Sequence, residues 1–241
     1  MDTEFSMLNT NTNTSNVGQI SDHIVSLTFY ITYAFLITTS TITFIEAMRN
    51  NDSKIRHILN IETCISVVAT FFYSKFLKEI EVSEKNGEPI DYKDIIINRY
   101  TDWMITTPLM LLVLCLTFVY NSKSTLNFLT FCNVLILNFA MILTGFVGET
   151  GMVDNLALTN SIGFIFFAAM YGYMYFKFLY KKYNFDNMMI FTSFFILWSF
   201  YGVFYMMEDQ ARNVGYNILD LLSKCFVGIF LWAYFSKVFV I

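Results

Sequence analysis

The chain has 241 residues, of which 56% are hydrophobic, 19% are aromatic and only 14% are charged. A soluble domain usually carries about 25% charged residues and about 45–50% apolar ones. The apolar excess excludes a disordered chain, and the formal net charge of −4 does not suit a nucleic-acid-binding surface. This composition is typical of a protein that crosses a membrane several times.

A helix needs about 20 mostly apolar residues to cross the hydrocarbon core of a bilayer. The sequence contains seven such stretches, which predict an all-α membrane protein with transmembrane helices at about 23–48, 57–78, 95–120, 125–147, 156–180, 187–207 and 216–237. Residues 1–22 precede them as a polar, Asn-rich leader that we expect to be disordered. The domain organisation is therefore a leader over 1–22 and a seven-helix domain over 23–241.

The charges of the loops alternate in sign along the chain. Basic residues follow the first, third, fifth and seventh spans: Arg49, Lys54, Arg56, Lys123, Lys177, Lys181, Lys182 and Lys237. The leader and the remaining loops are acidic: Asp2, Glu4, Asp22, Glu79, Glu81, Glu84, Glu88, Asp91, Asp94, Glu149, Asp154, Glu208 and Asp209. Because basic loops stay cytoplasmic, we expect an integral multi-pass protein with an extracellular N-terminus and a cytoplasmic C-terminus.

Ionisable residues at membrane depth are the strongest functional signal in this sequence. They are Glu62, Arg99, Asp102, Asp220 and Lys224. Each costs about 2.5–3.5 kcal/mol on insertion scales, and such residues usually mark ion paths or ligand counter-ions. Asp220 and Lys224 are four apart and share one helix face, as do Arg99, Asp102 and Thr106.

The Lys224 ammonium lies about 12 Å into its span, too deep to reach water easily. One interpretation is a structural ion-pair network that joins the third and seventh spans, and another is an ion-pair transporter that does not use light. A third follows from the chemistry of desolvated lysines, which form Schiff bases with aldehydes. In that case, the two aspartates would serve as counter-ions and proton acceptors.

Aromatic residues near these charges are spaced to line a pocket for a flat ligand. Trp198, Tyr201 and Tyr205 form one stripe, Met141, Thr144 and Gly145 share a face of the fourth span, and Trp103 lies beside Asp102. The same spacings also fit ordinary helix packing, so the pattern alone leaves both interpretations open.

Several segments resemble the microbial (type 1) rhodopsins of the bacteriorhodopsin and proteorhodopsin group. They are RYTDWMITTPL from Arg99, YNILDLLSK from Tyr216, MILTGFVG from Met141 and WSFY from Trp198. The similarity covers about 23–237, which is nearly everything after the leader. The compact loops and the Asn- and Ile-rich sequence also resemble the viral rhodopsin branch.

The resemblance implies all-trans retinal, held on Lys224 as a protonated Schiff base. It implies that Asp102 is the primary counter-ion and proton acceptor, that Asp220 is the second counter-ion, and that Arg99 separates the chromophore from the extracellular exit. Hydrogen bonds to Asp220 from Tyr73 and Tyr201 and to Asp102 from Thr106 would complete the site. The implied pocket around the Lys224 chromophore consists of Trp103, Met110, Met141, Gly145, Trp198, Tyr201 and Tyr73, and the apolar Met110 suggests green absorption.

The sequence departs from the family at one position that matters for ion transport. Outward proton pumps carry a carboxylic donor seven residues after Thr106, where this chain has Val113. Glu62 is expected to face the cytoplasmic half of the third span. There it could replace the donor, form a cytoplasmic gate for cations, or remain a neutral carboxyl hydrogen-bonded between helices.

These features predict a light-activated ion-transport protein rather than an enzyme. Outward proton transfer from the Schiff base through Asp102 is the first expectation, and a light-gated channel for monovalent cations is the second. A slow photosensor is the third. The acidic counter-ion argues against a chloride pump, and the lack of the sodium-pump Asn and Gln argues against a sodium pump. We also expect a homo-oligomer in lipid, a pentamer or a trimer as is common in the family.

Overall fold

The structure is a computed structural model that describes residues 20–180 and 183–237. It contains seven helices long and apolar enough to cross a membrane: α1 Asp22–Arg49, α2 Ser53–Asn86, α3 Tyr92–Asn121, α4 Phe128–Glu149, α5 Leu156–Leu179, α6 Phe185–Tyr205 and α7 Asp209–Phe235. No strand occurs in this part of the chain. The predicted all-α fold with seven spans is confirmed. Most of the leader, residues 1–19, and the loop lysines Lys181 and Lys182 lie outside the described residues.

Short polar caps separate the helices. The side chains of Asp52, Asp91, Asn127, Asn155 and Asn184 each accept a hydrogen bond from a backbone N–H in the first turn of the following helix. Such caps satisfy backbone donors that have no partner inside the helix. They hold the loops short and place consecutive helices side by side.

Two helices are longer than the apolar stretches that predicted them. Helix α2 continues beyond residue 78 to Asn86 and ends at Gly87, whose φ of +68° is a left-handed C-cap. Helix α7 begins at Asp209 instead of residue 216. Its first turns are polar by composition, yet Arg212 and Asn213 are buried against the bundle. A search for hydrophobic stretches cannot find a helix turn whose inward face is polar.

The two ends of the bundle differ in charge. We call the end that carries Glu88, Asp154 and Glu208 the acidic end, and the opposite end, with Arg49 and Lys123, the basic end. Helix α3 is the most buried of the seven, and the lipid-facing surface is covered by exposed phenylalanine, leucine and isoleucine side chains. The core therefore forms around α3, where the membrane-depth charges lie.

A segment of π-helix interrupts α7 over Leu221–Phe226, which contains Lys224. Single π turns are rare and occur often at functional sites, because the wider turn changes the direction of the following side chains. The segment lies between Asp220 and the last helical turns of α7, so it sets how Lys224 is presented to α3.

Gly215 allows α7 to approach α6 closely. A Cβ atom at this position would overlap the ring of Phe204. We expect Gly215→Ala to lower the stability of the protein by about 1–3 kcal/mol, the usual cost of overpacking. Thermal unfolding of the purified protein in detergent would measure the change. The matched control is Gly172→Ala, because a Cβ there meets no atom within 4 Å. Equal stability of the two variants would contradict the close approach.

Candidate functional site

The centre of the bundle is a buried ion cluster that joins α3 and α7. Lys224 Nζ donates a hydrogen bond of 2.6 Å to Asp102 Oδ2 and lies 3.4 Å from Asp220 Oδ1. The side chains of all three residues are at most 1% exposed. Buried charges are tolerated when they are paired and hydrogen-bonded. The structure thus brings together the three residues that the sequence singled out.

Two tyrosines hold the second carboxylate. Tyr73 on α2 donates a hydrogen bond of 2.9 Å to Asp220 Oδ2, and Tyr201 on α6 donates one of 2.7 Å to Asp220 Oδ1. Tyr73 also donates to Asn217 Oδ1 at 3.0 Å. Asp220 is therefore fixed from two helices, and its orientation toward Lys224 does not depend on α7 alone.

Arg99 lies on the acidic side of the cluster. Its Nη1 is 3.6 Å from Asp220 Oδ2, and its Nη2 donates to Asn213 and Asn217 at 3.1 and 2.9 Å. Aromatic rings surround the guanidinium at 5.0–5.9 Å: Phe29, Tyr73, Phe76 and Tyr216. Cation–π contacts of this kind stabilise a desolvated arginine. Arg99 is held away from solvent, between the cluster and the acidic end.

The hydrogen bond of Thr106 differs from the expectation. Its hydroxyl donates 2.9 Å to the backbone carbonyl of Asp102, one turn earlier on α3, and not to the Asp102 carboxylate. Serine and threonine side chains in helices often bond to the preceding turn in this way. Within the described residues, Asp102 Oδ1 has no hydrogen-bond partner, so one oxygen of this buried carboxylate remains available as an acceptor.

A mostly apolar cavity extends from the ion cluster between α3, α4, α5 and α6. Lys224 and Asp220 line one part of it, and the predicted pocket residues Trp103, Met110, Met141, Gly145, Trp198 and Tyr201 line the rest. Tyr73, which was expected in the pocket, is not in the lining and contacts Asp220, Asn217 and Arg99 instead. The amine at the end of an aromatic cavity is the arrangement that covalent binding of a flat, apolar aldehyde requires.

Glu62 lies close to α7. Its Oε2 is 3.3 Å from the position of a Cβ on Gly228, a site that also touches Thr39 and Thr43 on α1. The expected approach of its carboxyl to the third span stays a prediction. Glu62 and Tyr73 are eleven residues apart, about three helix turns, so they share the face of α2 that contacts α7. Val113 is buried in the apolar core.

Polar residues of α7 were missed although the sequence contained a signal for them. Asn213, Asn217, Asp220 and Lys224 recur at spacings of four, three and four, which places them on one helix face. The two asparagines hold Arg99, as described above. They were overlooked because amides carry no charge and do not stand out in a list of ionisable residues.

A second buried ion pair lies nearer the acidic end and was also missed. Glu149 and Arg212 were taken for loop and flank residues, yet their side chains are only 1% and 8% exposed, and Glu149 Oε1 lies 3.5 Å from Arg212 Nη1. Glu149 is the last residue of α4 and Arg212 belongs to the polar first turns of α7. Their burial could not be recognised from the sequence, because both residues lie at the polar ends of predicted spans.

The family follows from comparison of the chain with known proteins. The family model for bacteriorhodopsin-like proteins matches residues 23–238. The chain belongs to the bacteriorhodopsin-like family. Members of this family are light-driven ion pumps, channels or sensors that bind retinal, and none of these activities makes the chain an enzyme. It is an integral, multi-pass membrane protein.

Solved structures of other rhodopsins share the fold. The viral rhodopsin OLPVRII is 46% identical to the chain, with a TM-score of 0.82, and the alignment covers 90% of this chain and 100% of that one. Blue light-absorbing proteorhodopsin from Med12 is 23% identical with a TM-score of 0.68, covering 88% and 96%. Xanthorhodopsin, a light-driven ion pump with a dual chromophore, is 21% identical with a TM-score of 0.71, covering 88% and 91%. No curated protein matches the sequence.

The hydrogen bonds of Asn217 support the arginine at the site. The Asn217 side chain accepts from Arg99 and Tyr73 and donates 2.8 Å to Thr28 on α1. We expect Asn217→Leu to destabilise the protein by about 1–3 kcal/mol, because it leaves buried donors without partners. Thermal unfolding in detergent would measure the loss. Asn98→Leu is the control, since Asn98 bonds only within its own helix, to the Asp94 carbonyl; a similar loss in both would argue against this network.

Proposed function

We propose that this chain binds retinal on Lys224 and uses light to move protons outward, through Asp102 toward the acidic end. One observation carries the proposal: the hydrogen bond of 2.6 Å from Lys224 Nζ to Asp102 Oδ2, inside a buried cluster at the end of an aromatic cavity. When bound through Nζ, retinal would supply light absorption, a change of shape and a protonatable nitrogen.

The residues of the cluster supply the rest of the reaction. Asp102 lies in line to accept the proton from Nζ, and its free Oδ1 offers a second acceptor position. Tyr73 and Tyr201 donate to Asp220 and hold its carboxylate beside Lys224, where it can balance the positive charge before transfer. The transfer from Lys224 Nζ to Asp102 needs only a short movement of one proton, because these two groups are already hydrogen-bonded.

Arg99 gives the transfer its direction. It lies between the cluster and the acidic end and is held by Asn213 and Asn217. When Asp102 becomes neutral, the balance of charge around this guanidinium changes, and the positive group is attracted less strongly toward the cluster. The acidic end would then be the extracellular side, in agreement with the positive-inside rule applied to the loops. The proton-pumping rhodopsin AR2 from the marine alga Acetabularia acetabulum shares the fold, with 18% identity and a TM-score of 0.70.

Replacement of Asp102 tests its role as the proton acceptor. Under voltage clamp in illuminated cells, we expect the wild-type protein to pass an outward current whose sign does not reverse over a range of voltages. Asp102→Asn should reduce this current by about 10²-fold or more, because an amide cannot accept the proton from Nζ. Lys224→Ala, which removes the attachment point, is the control and should lose both the current and the visible absorption band.

Two outcomes would contradict the proposal. A visible band that persists in Lys224→Ala would place the chromophore elsewhere. A current that reverses at a potential set by the cation gradients would identify a channel instead of a pump, since a channel only dissipates gradients.

A light-gated cation channel is the second candidate, and the position of Glu62 favours it. The carboxyl is buried beside α7, one turn beyond Lys224 toward the basic end, among Thr39 and Thr43. In the described residues, no lysine or arginine forms an ion pair with it. A buried carboxyl in this position could hold the proton that returns to Nζ, or it could block and open a path for cations.

Glu62→Gln distinguishes these roles. If Glu62 returns the proton, the glutamine variant should lengthen the recovery of the dark absorbance at least about tenfold after a flash, since the amide has no proton to donate. Ser66→Ala, one turn away on the same helix, is the matched control, because it removes a buried hydroxyl and leaves the carboxyl. Unchanged recovery in Glu62→Gln, together with a new cation current, would support the gate instead.

A further inference from the structure

The second buried ion pair is not used by the proton transfer proposed above. The Glu149 carboxylate accepts hydrogen bonds from Tyr100 at 2.8 Å and Tyr216 at 3.3 Å, and it faces Arg212 at 3.5 Å. Its side chain is 1% exposed although it is the last residue of α4. A carboxylate that accepts from two phenols and is paired with a guanidinium, close to the acidic end, can also accept and release a proton.

The tyrosine ring of Tyr216 connects this pair to the ion cluster. Its face lies 5.5 Å from the Arg99 guanidinium carbon, and its ring centroid is 5.0 Å from that of Trp103 and 5.8 Å from that of Tyr201. The same residue donates its hydroxyl to Glu149. Tyr216 therefore touches the arginine beside the cluster with its ring and the distant carboxylate with its hydroxyl.

Buried donors without protein partners lie on both sides of this connection. They are Arg99 Nε and Nη1 and Arg212 Nε, none of which has a hydrogen-bond partner within the described residues. Buried donors are nearly always satisfied by protein or by bound water. Water molecules on these atoms would complete a hydrogen-bonded path from Asp102 past Arg99 to Glu149.

Arg212 gives Glu149 an outlet to solvent. It donates 2.9 Å to Asp209, whose side chain is 55% exposed, and 2.7 Å to the backbone carbonyl of Met207 in the loop between α6 and α7. The guanidinium thus bridges a buried carboxylate and an exposed one. A proton leaving Glu149 has only this short distance to cross before it reaches the acidic surface.

We propose that Glu149 is the proton relay of the exit path, held by Tyr100, Tyr216 and Arg212. It receives the proton that leaves Asp102, becomes a neutral carboxylic acid, and returns to the carboxylate when it gives that proton to solvent. No net proton is gained by the protein over the cycle. This inference rests on the proposed outward proton transfer and adds the residue through which the proton leaves.

The experiment uses the full chain with bound retinal in lipid nanodiscs, excited by single flashes. One readout is the absorbance change that reports loss of the proton at Lys224 Nζ, and the other is a pH-indicator dye in the medium. In Glu149→Gln, we expect the loss of the proton from Lys224 Nζ to keep its wild-type rate within about twofold. The release of the proton to the medium should be delayed about tenfold or more. The control is Glu208→Gln, which removes the same charge from an exposed position at the same end.

Infrared difference spectra distinguish a relay role for Glu149 from a purely structural one. Infrared difference spectra should show a carboxylic acid band that appears during the cycle in wild-type protein and Glu208→Gln and is lost in Glu149→Gln. If Glu149→Gln does not fold, the pair Tyr100→Phe and Tyr216→Phe serves instead. That double variant keeps the ion pair, and it should shift the band and delay release because the carboxyl loses both phenol donors.

Different results would contradict the proposed proton transfer and the relay role of Glu149. If wild-type protein loses no proton from Nζ or releases none to the dye, the proposed proton transfer is wrong. If wild-type protein releases a proton and Glu149→Gln releases it equally fast, or if the transient carboxyl band survives that substitution, Glu149 is not the relay.

Discussion

The cost of placing an ammonium group in the middle of a membrane protein determines most of this structure. Lys224 is 1% exposed and is compensated by two carboxylates, Asp102 and Asp220, which are themselves out of reach of water. Each of these charges would be expensive alone. Together they constrain α3 and α7 to one relative position, because a movement that separates the pair leaves buried charges unbalanced.

The residues around the cluster can be understood as consequences of that constraint. Asp220 needs donors, and Tyr73 and Tyr201 supply them from α2 and α6. Arg99 needs hydrogen-bond acceptors, and the side-chain oxygens of two asparagines supply them. It also needs apolar surroundings that still favour a cation, and the faces of aromatic rings supply those. The hydrogen bonds of the site therefore come from several helices, and each such bond also fixes the position of a helix.

Much of this could be predicted from the sequence because membrane spans follow simple rules. Apolar length gave the number of helices, and helical spacing placed Asp220 and Lys224 on one face. The resemblance to a known family added the pairing of Lys224 with Asp102. The alignment with Tyr73 led to the expectation that Glu62 faces the third span, and the close approach of its carboxyl to Gly228 on α7 depends on packing that this spacing does not contain.

Other features depend on tertiary context that a single sequence does not contain. Glu149 and Arg212 look like ordinary charges near loops, and their burial arises only because α4 ends against the early turns of α7. The direction of the Thr106 hydroxyl depends on a choice between two nearby acceptors, which spacing cannot resolve. The added length of α2 and α7 was invisible to hydropathy because those turns are polar.

The continuity of α7 has a consequence for engineering. This one helix carries Arg212, the asparagines that hold Arg99, Asp220 and Lys224, and Gly228 beside Glu62. A substitution that tilts or rotates it would disturb every polar contact from one end of the bundle to the other. Spectral or transport variants are therefore best sought on α3, α4 and α6, where a cavity wall can be altered while the alignment along α7 is preserved. The π-helical segment at Leu221–Phe226 separates the half of α7 that holds Arg99 and Asp220 from the half that carries Gly228.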